Sequence, residues 1–339
     1  MLRPPKLNFP PVKLRARRQG AQTEVWDEWR GCYLVLTPEE WVRRHLLVFL
    51  VERCGACAKR IVQEYPVRLN GQPQRADVVV VAVGERYFQS GEARSKADIA
   101  IPRQHEELVR ALKGCGKRVI TLLMGGRPMI FDEAAAHSDA VLLTWWLGTE
   151  AGNAIADVLS GEYNPSGKLP MTFPAHVGQI PIYYNYKSTG RPESKAGGYT
   201  CSYQDIDFEP AYPFGFGLSY TTFEIGTPTL EKRVWRLDEG EPVTVRVTVK
   251  NTGHRTGRET VQLYIRDHVG SVTRPVRELR GFRQVLLRPG EQTEVAFTLG
   301  AAELGFWNAD LRYVVEPGVF SVMCGPDSKN VETAEFELR

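Results

Sequence analysis

The sequence predicts an α/β domain, mainly a parallel sheet with flanking helices, followed by an all-β sandwich and preceded by a short α+β segment. Two observations indicate this. A β-branched run, Asp77 to Val83, precedes a polar loop, an amphipathic helix and a second apolar run, the order of a strand, loop, helix, strand unit. From Phe223 onward, apolar and polar residues alternate between Gly, Pro and Asn turns, which is typical of a β-sandwich.

The first predicted domain, residues 1–75, contains one clear helix signal. Thr37 suits the N-cap, Pro38 the first turn and Gly55 the exit, so a helix is expected between them. The start of this segment is basic, which is typical either of a polyanion-binding arm or of a solvated tail. The basic residues are Lys13, Arg15, Arg17 and Arg18.

Composition excludes several classes of protein. With 42% hydrophobic residues the chain can bury ample core, yet no apolar run approaches the roughly 20 residues that span a bilayer, so no membrane partner is expected. A net charge of +3 is too small to indicate a nucleic-acid partner. The amino terminus has prolines and charges where a secretory signal would be apolar, which predicts a cytoplasmic chain as written.

The six cysteines are scattered and do not form a disulfide scaffold. Cys54 and Cys57 have CxxC spacing, which suits either a zinc or redox site or two ordinary thiols. No second pair and no fitting histidine motif accompanies them, so the sequence predicts no metal and no cofactor.

The second predicted domain, residues 76–225, carries the main candidate for chemistry, Glu92. The run from Asp77 to Val83 suggests a strand buried on both faces, and ligands gather beyond the carboxyl ends of such strands. Gly91 gives the loop freedom to present Glu92. Arg94 and Lys96 either hold its charge or are solvated. An isolated loop glutamate is usually only a surface residue.

For other polar and aromatic residues of this domain, the sequence allows both a structural and a functional interpretation. Trp145 and Trp146 follow an apolar run and either approach a ligand or form a buried pair, the latter being favoured. A helix is expected to start at a Thr149 cap and to end at Gly161. A polar aromatic loop, with Tyr183, Tyr184 and Asn185, is the candidate substrate-binding rim. The third predicted domain, residues 226–339, is the all-β sandwich.

A series of motifs in this order resembles the C-terminal half of family 3 glycoside hydrolases, the β-glucosidase and β-xylosidase group. Over residues 76–225 the motifs are ADVVVVAVGE, SGEARS, GRPM, WWLGTEAGNAIADVLSGEYNPSGKLPMTFP, GQIPIYYNYKSTGRP and EPAYPFGFGLSYTTFE. VKNTGHRTGRETVQLYIRD, RPVRELRGF, LRPGEQTEV and WNADLRYVVEPGVF resemble the fibronectin type III-like module that closes many of these enzymes. The resemblance covers residues 76–339.

The resemblance implies hydrolysis of terminal β-linked glucose or xylose with retention, with Glu92 at the acid/base position. In the family an N-terminal (β/α)8 barrel supplies the aspartate nucleophile. Such a barrel needs about 250 residues, and only 75 precede the α/β domain here. The chain is therefore expected to be inactive alone, with a β-glucoside or oligosaccharide as substrate and a barrel in trans as a possible partner. The alternative is a catalytically silent carbohydrate-associated or interaction module. Family members are often exported, unlike the chain as written.

Residues 1–81 resemble a different family, the N-terminal domain of type I restriction R subunits. The resemblance rests on MLRPPKLNFPPVKLRARRQG, VLTPEEWVRRHLLVFLVERCG and RIVQEYPVRLNGQPQRADVVVV. It implies a nuclease-like fold with Asp77 as first metal ligand, but the Glu-x-Lys half is missing, since Glu85 is followed by Arg86 and Tyr87. One acidic residue gives no metal site, so a rearranged gene is favoured over a DNA-binding protein.

Overall fold

The computed structural model describes residues 14–20, 22–27, 32–36, 67–69, 72–74, 78–191, 201, 203–236 and 240–339. The chain divides into two compact units, Met1–Trp146 and Leu147–Arg339, which are described one at a time. The predicted helix after Thr37, the Cys54 and Cys57 pair and Asp77 lie outside the described residues. Within the described part, no helix is long and apolar enough to cross a membrane.

The first unit begins with two small antiparallel sheets. Three strands form the first sheet and two the second: β1 (Ala16–Gln19), β2 (Gln22–Asp27) and β3 (Cys32–Val35), then β4 (Val67–Leu69) and β5 (Gln72–Gln74). Arg17 in β1 pairs with Glu24 at 2.8 Å and lies 3.8 Å from the Tyr33 ring centre. At least this member of the basic cluster therefore stabilises the sheet instead of belonging to a solvated tail.

The larger part of the first unit is a parallel sheet of order β6-β7-β8. Its strands are β6 (Val78–Gly84), β7 (Arg118–Met124) and β8 (Ala140–Leu143), and its helices are α1 (Arg103–Gly114) and α2 (Asp132–Ala136). A short 3-10 helix, Tyr87–Gln89, follows β6. The predicted strand, loop, helix, strand unit is confirmed. Leu108, Val109 and Leu112 form the buried side of α1, as the 3.6-residue period of its apolar positions requires.

The expectation that β6 is buried on both faces is wrong. Val81 and Val83 are buried, whereas Val78 and Val80 are 41% and 44% exposed. Among the described residues β6 is an edge strand, paired only with β7. Successive side chains of a strand point to opposite faces, so one face of β6 is covered and the other meets solvent.

The second unit starts with helix α3 (Ala151–Ser160), which ends at Gly161 in the left-handed conformation, as predicted. The predicted Thr149 cap is wrong. Glu150 occupies the N-cap position and makes no side-chain capping bond. Thr149 therefore lies one residue too early for its hydroxyl to cap the first turn. Further along, a second 3-10 helix covers Val177–Gln179.

The predicted all-β sandwich is confirmed as two main sheets and a small hairpin. The strands are β9 (Phe223–Ile225), β10 (Thr229–Leu230), β11 (Val234–Trp235), β12 (Val243–Asn251), β13 (Gly257–Asp267), β14 (Glu278–Leu287), β15 (Gln292–Leu299), β16 (Phe306–Trp307), β17 (Tyr313–Val314), β18 (Gly318–Gly325) and β19 (Glu332–Leu338), with helix α4 (Ala301–Leu304) between β15 and β16. The sheets have the orders β10-β12-β15 with β9 beside β12, β11-β19-β18-β13-β14, and β16-β17.

Alternate residues of β12 build the sandwich core. Val243, Val245, Val247 and Val249 are all buried and pack with residues of the facing sheet, including Trp235, Phe320 and Phe336. Asn251 at the end of β12 is fully buried and uses both ends of its amide. Its Nδ2 donates to the Arg255 and Leu287 carbonyls at 2.7 and 2.9 Å, and its Oδ1 accepts from Thr221 and Gly253. Asn251 therefore joins three segments of the second unit.

Asn251→Ala is expected to destabilise the second unit by roughly 2–4 kcal/mol, because several buried polar groups lose their partner at once. Urea denaturation followed by circular dichroism measures the change. The exposed Asn153 is the matched control, and Asn153→Ala should shift stability by no more than about 0.5 kcal/mol. Equal shifts in the two variants would show that the Asn251 bonds contribute little.

The environment of the His105 ring in α1 makes the stability of the first unit depend on pH. Its Nδ1 accepts a hydrogen bond from the Gly84 backbone N–H at 3.2 Å, which requires a neutral ring. Burial, and then the nearby Arg86 charge, lower the pKa of His105 below 6.5. The unfolded chain therefore binds more protons, so this contribution is fully present above pH 6.5 and is lost as pH falls below it toward the folded pKa.

The thermal midpoint of unfolding should consequently decrease when the pH is lowered from 7.5 to 5. His105→Gln should make this decrease smaller, since a glutamine oxygen can accept the hydrogen bond from the Gly84 N–H without titrating. Differential scanning calorimetry at the two pH values measures this. The exposed His254 supplies the control variant His254→Gln. If His105→Gln kept the full wild-type pH difference, the buried ring would not be its source.

Candidate functional site

Glu92 lies at the exposed tip of the loop that follows β6. Two neighbours hold the backbone in the left-handed region, Gly91 at φ 114° and Ala93 at φ 56°. The Arg94 N–H donates to the Gly91 carbonyl at 3.3 Å and closes a turn around Glu92. Ala93 is strained in this conformation, and residues held in it cluster at functional sites. The predicted role of Gly91 thus agrees with the backbone, and Ala93 adds a feature that the sequence did not indicate.

Trp146 contacts the Glu92 loop directly. Its indole Nε1 donates to the Ser90 hydroxyl at 2.8 Å, and its side chain is 40% exposed. The favoured reading of a buried tryptophan pair is therefore wrong for Trp146, because the indole N–H takes its partner from a surface loop. Gly126 makes room for this contact, since a Cβ there would overlap both Ser90 Oγ and Trp146 Nε1.

Glu85, which directly follows β6, is the buried carboxylate of the region. Its side chain is 2% exposed and pairs with Lys96 Nζ and Arg127 Nε, each at 3.1 Å. A buried carboxylate needs such partners because burial removes its hydration. Lys96, predicted either to hold the charge of Glu92 or to be solvated, instead pairs with Glu85. Glu92, in contrast to Glu85, faces solvent.

Sequence reasoning missed Glu85 and Arg127 as members of this site, although a signal for both was present. Glu85 directly follows β6, and Arg127 lies three residues beyond Met124, where β7 ends. The two strands are parallel neighbours, so their carboxyl ends meet at one edge of the sheet. Charged residues at these two positions are therefore brought together by the fold.

The predicted substrate-binding residues Tyr183, Tyr184 and Asn185 belong to the second unit and are described within it. Tyr183 and Asn185 are exposed. Tyr184 packs between Phe214, stacked at 4.4 Å, and Tyr264 at 5.7 Å, and its hydroxyl accepts from the Leu279 N–H at 3.4 Å. Tyr184 thus contacts the sandwich, whereas its two neighbours are open to a ligand. Substrate binding by these three residues stays a prediction.

Glu92 is therefore an exposed carboxylate on a short turn of the same loop as the Glu85 ion pairs. Among the described residues, no group of three or more His, Cys, Asp or Glu could hold a metal ion.

Two family models match the chain. Residues 18–220 match the glycosyl hydrolase family 3 C-terminal domain, and residues 259–328 match the fibronectin type III-like domain. The chain is 47% identical over 267 residues to the periplasmic beta-glucosidase of Salmonella typhimurium, and 43% identical over 256 residues to a beta-xylosidase of Formosa agariphila. These alignments cover 78% and 76% of the chain, but 35% and 34% of the relatives.

Solved structures show the same similarity to beta-glucosidases. The crystal structure of the beta-glucosidase from Listeria innocua in complex with glucose is 44% identical, with a TM-score of 0.74 over 77% of this chain and 36% of that protein. The chain thus spans about a third of the length of the curated relatives it matches. A domain model that matches more than half of the chain, together with the order of the two domains, shows that the chain belongs to glycosyl hydrolase family 3 and corresponds to the C-terminal half of its β-glucosidase-like and β-xylosidase-like members.

Proposed function

We propose that Glu92 is the general acid/base of a retaining β-glycosidase that acts on terminal β-linked glucose or xylose. The observation that carries the proposal is the placement of Glu92 alone at the tip of a fixed turn beyond β6, in the SGE motif of a family 3 domain. A general acid/base must donate its proton to the leaving oxygen and then take a proton from the attacking water. The exposure of Glu92 supports this role, because its carboxylate is open to substrate and to water.

The burial of Glu85 favours Glu92 over its neighbour for this role. The Glu85 side chain is 2% exposed and is occupied by Lys96 and Arg127. Protonating it would break its ion pairs with two half-buried cations, which opposes proton transfer. The Glu92 side chain has no such constraint, since it faces solvent.

Retention requires a second carboxylate roughly 5–5.5 Å from the first, which attacks the anomeric carbon and forms a covalent intermediate. The family resemblance assigns that nucleophile to an aspartate of the barrel, for which these 339 residues offer no candidate. We propose that the chain alone is inactive and that Glu92 acts on a sugar bound by a barrel, whether that barrel belongs to the same polypeptide or to another.

The proposed substrate class follows from the relatives. The beta-glucosidase from Listeria innocua was crystallised with glucose, and a mutant form of that enzyme with laminaribiose. By similarity we infer a β-glucoside or β-linked oligosaccharide as the substrate. Within the second unit, Tyr183, Tyr184 and Asn185 stay the proposed substrate-binding residues. The alternative is a silent carbohydrate-associated module, in which Glu92 would be a surface residue. The domain bounds, the cytoplasmic location and the restriction-subunit resemblance of residues 1–81 stay predictions.

The purified chain should not hydrolyse 4-nitrophenyl β-glucoside above the rate of its Glu92→Gln variant, because loss of a nucleophile removes several orders of magnitude of rate. Release of nitrophenolate, followed by absorbance, measures this. Turnover that Glu92→Gln abolishes would show that a nucleophile lies within the 339 residues.

Adding a separately expressed family 3 barrel should restore hydrolysis if the chain supplies the acid/base. Glu92→Ala should then slow the first step of hydrolysis of an alkyl β-glucoside by at least about 100-fold. The first step on a dinitrophenyl β-glucoside should be slowed far less, since only the poor leaving group needs the proton. Azide should recover part of the rate, because it attacks the intermediate without a general base. Glu133→Ala, an exposed carboxylate of α2, is the matched control. Equal losses on both substrates without an azide response would show that Glu92 holds structure and that another residue carries the proton.

A further inference from the structure

Arg127 connects the buried ion pair to both arms of the Glu92 loop. Its Nε pairs with Glu85 at 3.1 Å. Its Nη2 donates to the Gln89 carbonyl at 2.6 Å and to the Arg94 carbonyl at 2.8 Å. Gln89 is three residues before Glu92 and Arg94 is two residues after it, so one guanidinium nitrogen holds the chain on both sides of the carboxylate.

We propose that Arg127 is a positioning residue for Glu92, which it fixes by joining the two arms of this loop; the inference rests on the proposed acid/base role of Glu92. Only four residues, 90 to 93, lie between the two residues whose carbonyls Arg127 holds. With both ends tied to one planar group, this segment has few conformations left. The position of the Glu92 backbone is therefore set by the Arg127 guanidinium.

The arginine side chain suits this task better than lysine. A guanidinium is planar, always charged and carries five N–H donors in a fixed fork, so it can pair with a carboxylate through one nitrogen and bind carbonyls through another. A lysine ammonium is a compact point charge on a flexible stem. Lysine at position 127 is expected to keep the attraction to Glu85 and to lose the simultaneous contacts with the Gln89 and Arg94 carbonyls.

Precise placement of Glu92 affects the proton transfer more than other steps. A displacement of about 1 Å in a catalytic group can lower a rate by about 100-fold. If Arg127 positions the acid, a looser Glu92 loop should lower the rate of the first step for substrates whose leaving group needs a proton. The same step should change little for substrates whose leaving group needs none. A residue that only supports the fold would affect both kinds of substrate alike.

The first test measures the loop in the full chain, without catalysis. The amides of Gln89 and Arg94 donate to the Arg86 and Gly91 carbonyls, so their hydrogen exchange reports opening of the loop. In Arg127→Lys their exchange should be about tenfold faster or more, while amides in the middle of β7 keep their wild-type rates. Arg103→Lys is the matched control on an exposed arginine of α1. Unchanged exchange at both amides in Arg127→Lys would overturn the proposal.

A measurement on the wild-type chain covers the case in which Arg127→Lys does not fold. The Nε–H and Nη–H signals of a fixed guanidinium are resolved and exchange slowly with water, whereas those of an exposed arginine average. Nitrogen-15 spectra should therefore show resolved Arg127 signals and averaged Arg103 signals. Averaged signals for Arg127 would contradict the proposal that its guanidinium holds the Glu92 loop, whatever the behaviour of the variants.

The second test uses the chain together with the separately expressed barrel. Arg127→Lys should lower kcat/KM, which reports the first step, by about tenfold for an alkyl β-glucoside and by less than about twofold for a dinitrophenyl β-glucoside. Equal losses on both substrates would show that Arg127 supports the fold and does not position the acid. If the wild-type mixture were inactive, the proposed function would fail in trans, whereas the exchange and nitrogen-15 results would still decide whether Arg127 holds the loop.

Discussion

The Glu85 carboxylate and its two cations are the interaction on which the candidate site depends. A carboxylate with 2% exposure at the end of β6 is stable only because Lys96 and Arg127 approach it to 3.1 Å. Lys96 comes from the far side of the Glu92 loop and Arg127 from the segment after β7. The ion pairs of Glu85 therefore bring together the end of β6, the part of the loop that contains Lys96 and the segment after β7. Glu85 is occupied by these cations, whereas Glu92 is exposed.

This arrangement assigns separate roles to two glutamates seven residues apart. Glu85 is buried and structural, whereas Glu92 is exposed on a turn with left-handed backbone on both sides. Arg127 and Trp146 hold the turn from outside the loop, through backbone carbonyls and the Ser90 hydroxyl. A loop that is fixed in this way can carry an acid that meets its substrate on a separate domain, because its geometry does not depend on the substrate being present.

Much of the fold could be predicted from the sequence, since local patterns determined it. The period of two placed the β12 valines in the sandwich core, and the apolar spacing of Leu108 and Leu112 placed one side of α1. Features that depend on distant partners could not be predicted. The exposure of Val78 and Val80 depends on which elements cover each face of the sheet, and the partner of Lys96 depends on which carboxylate the fold buries. The motif marks Glu92 as a candidate, which stays a prediction. The ends of β6 and β7 place Arg127 near Glu85, but its bonds to two backbone carbonyls cannot be read from side-chain patterns.

The most direct measurement of the central claim is a crystal structure of this chain bound to a family 3 barrel domain and a glucose-like inhibitor. If Glu92 is the acid/base of a retaining enzyme, its carboxylate should lie roughly 5–5.5 Å from the barrel nucleophile, on the leaving-group side of the sugar. A Glu92 carboxylate more than about 10 Å from that nucleophile, or another carboxylate of this chain in its place, would contradict the account.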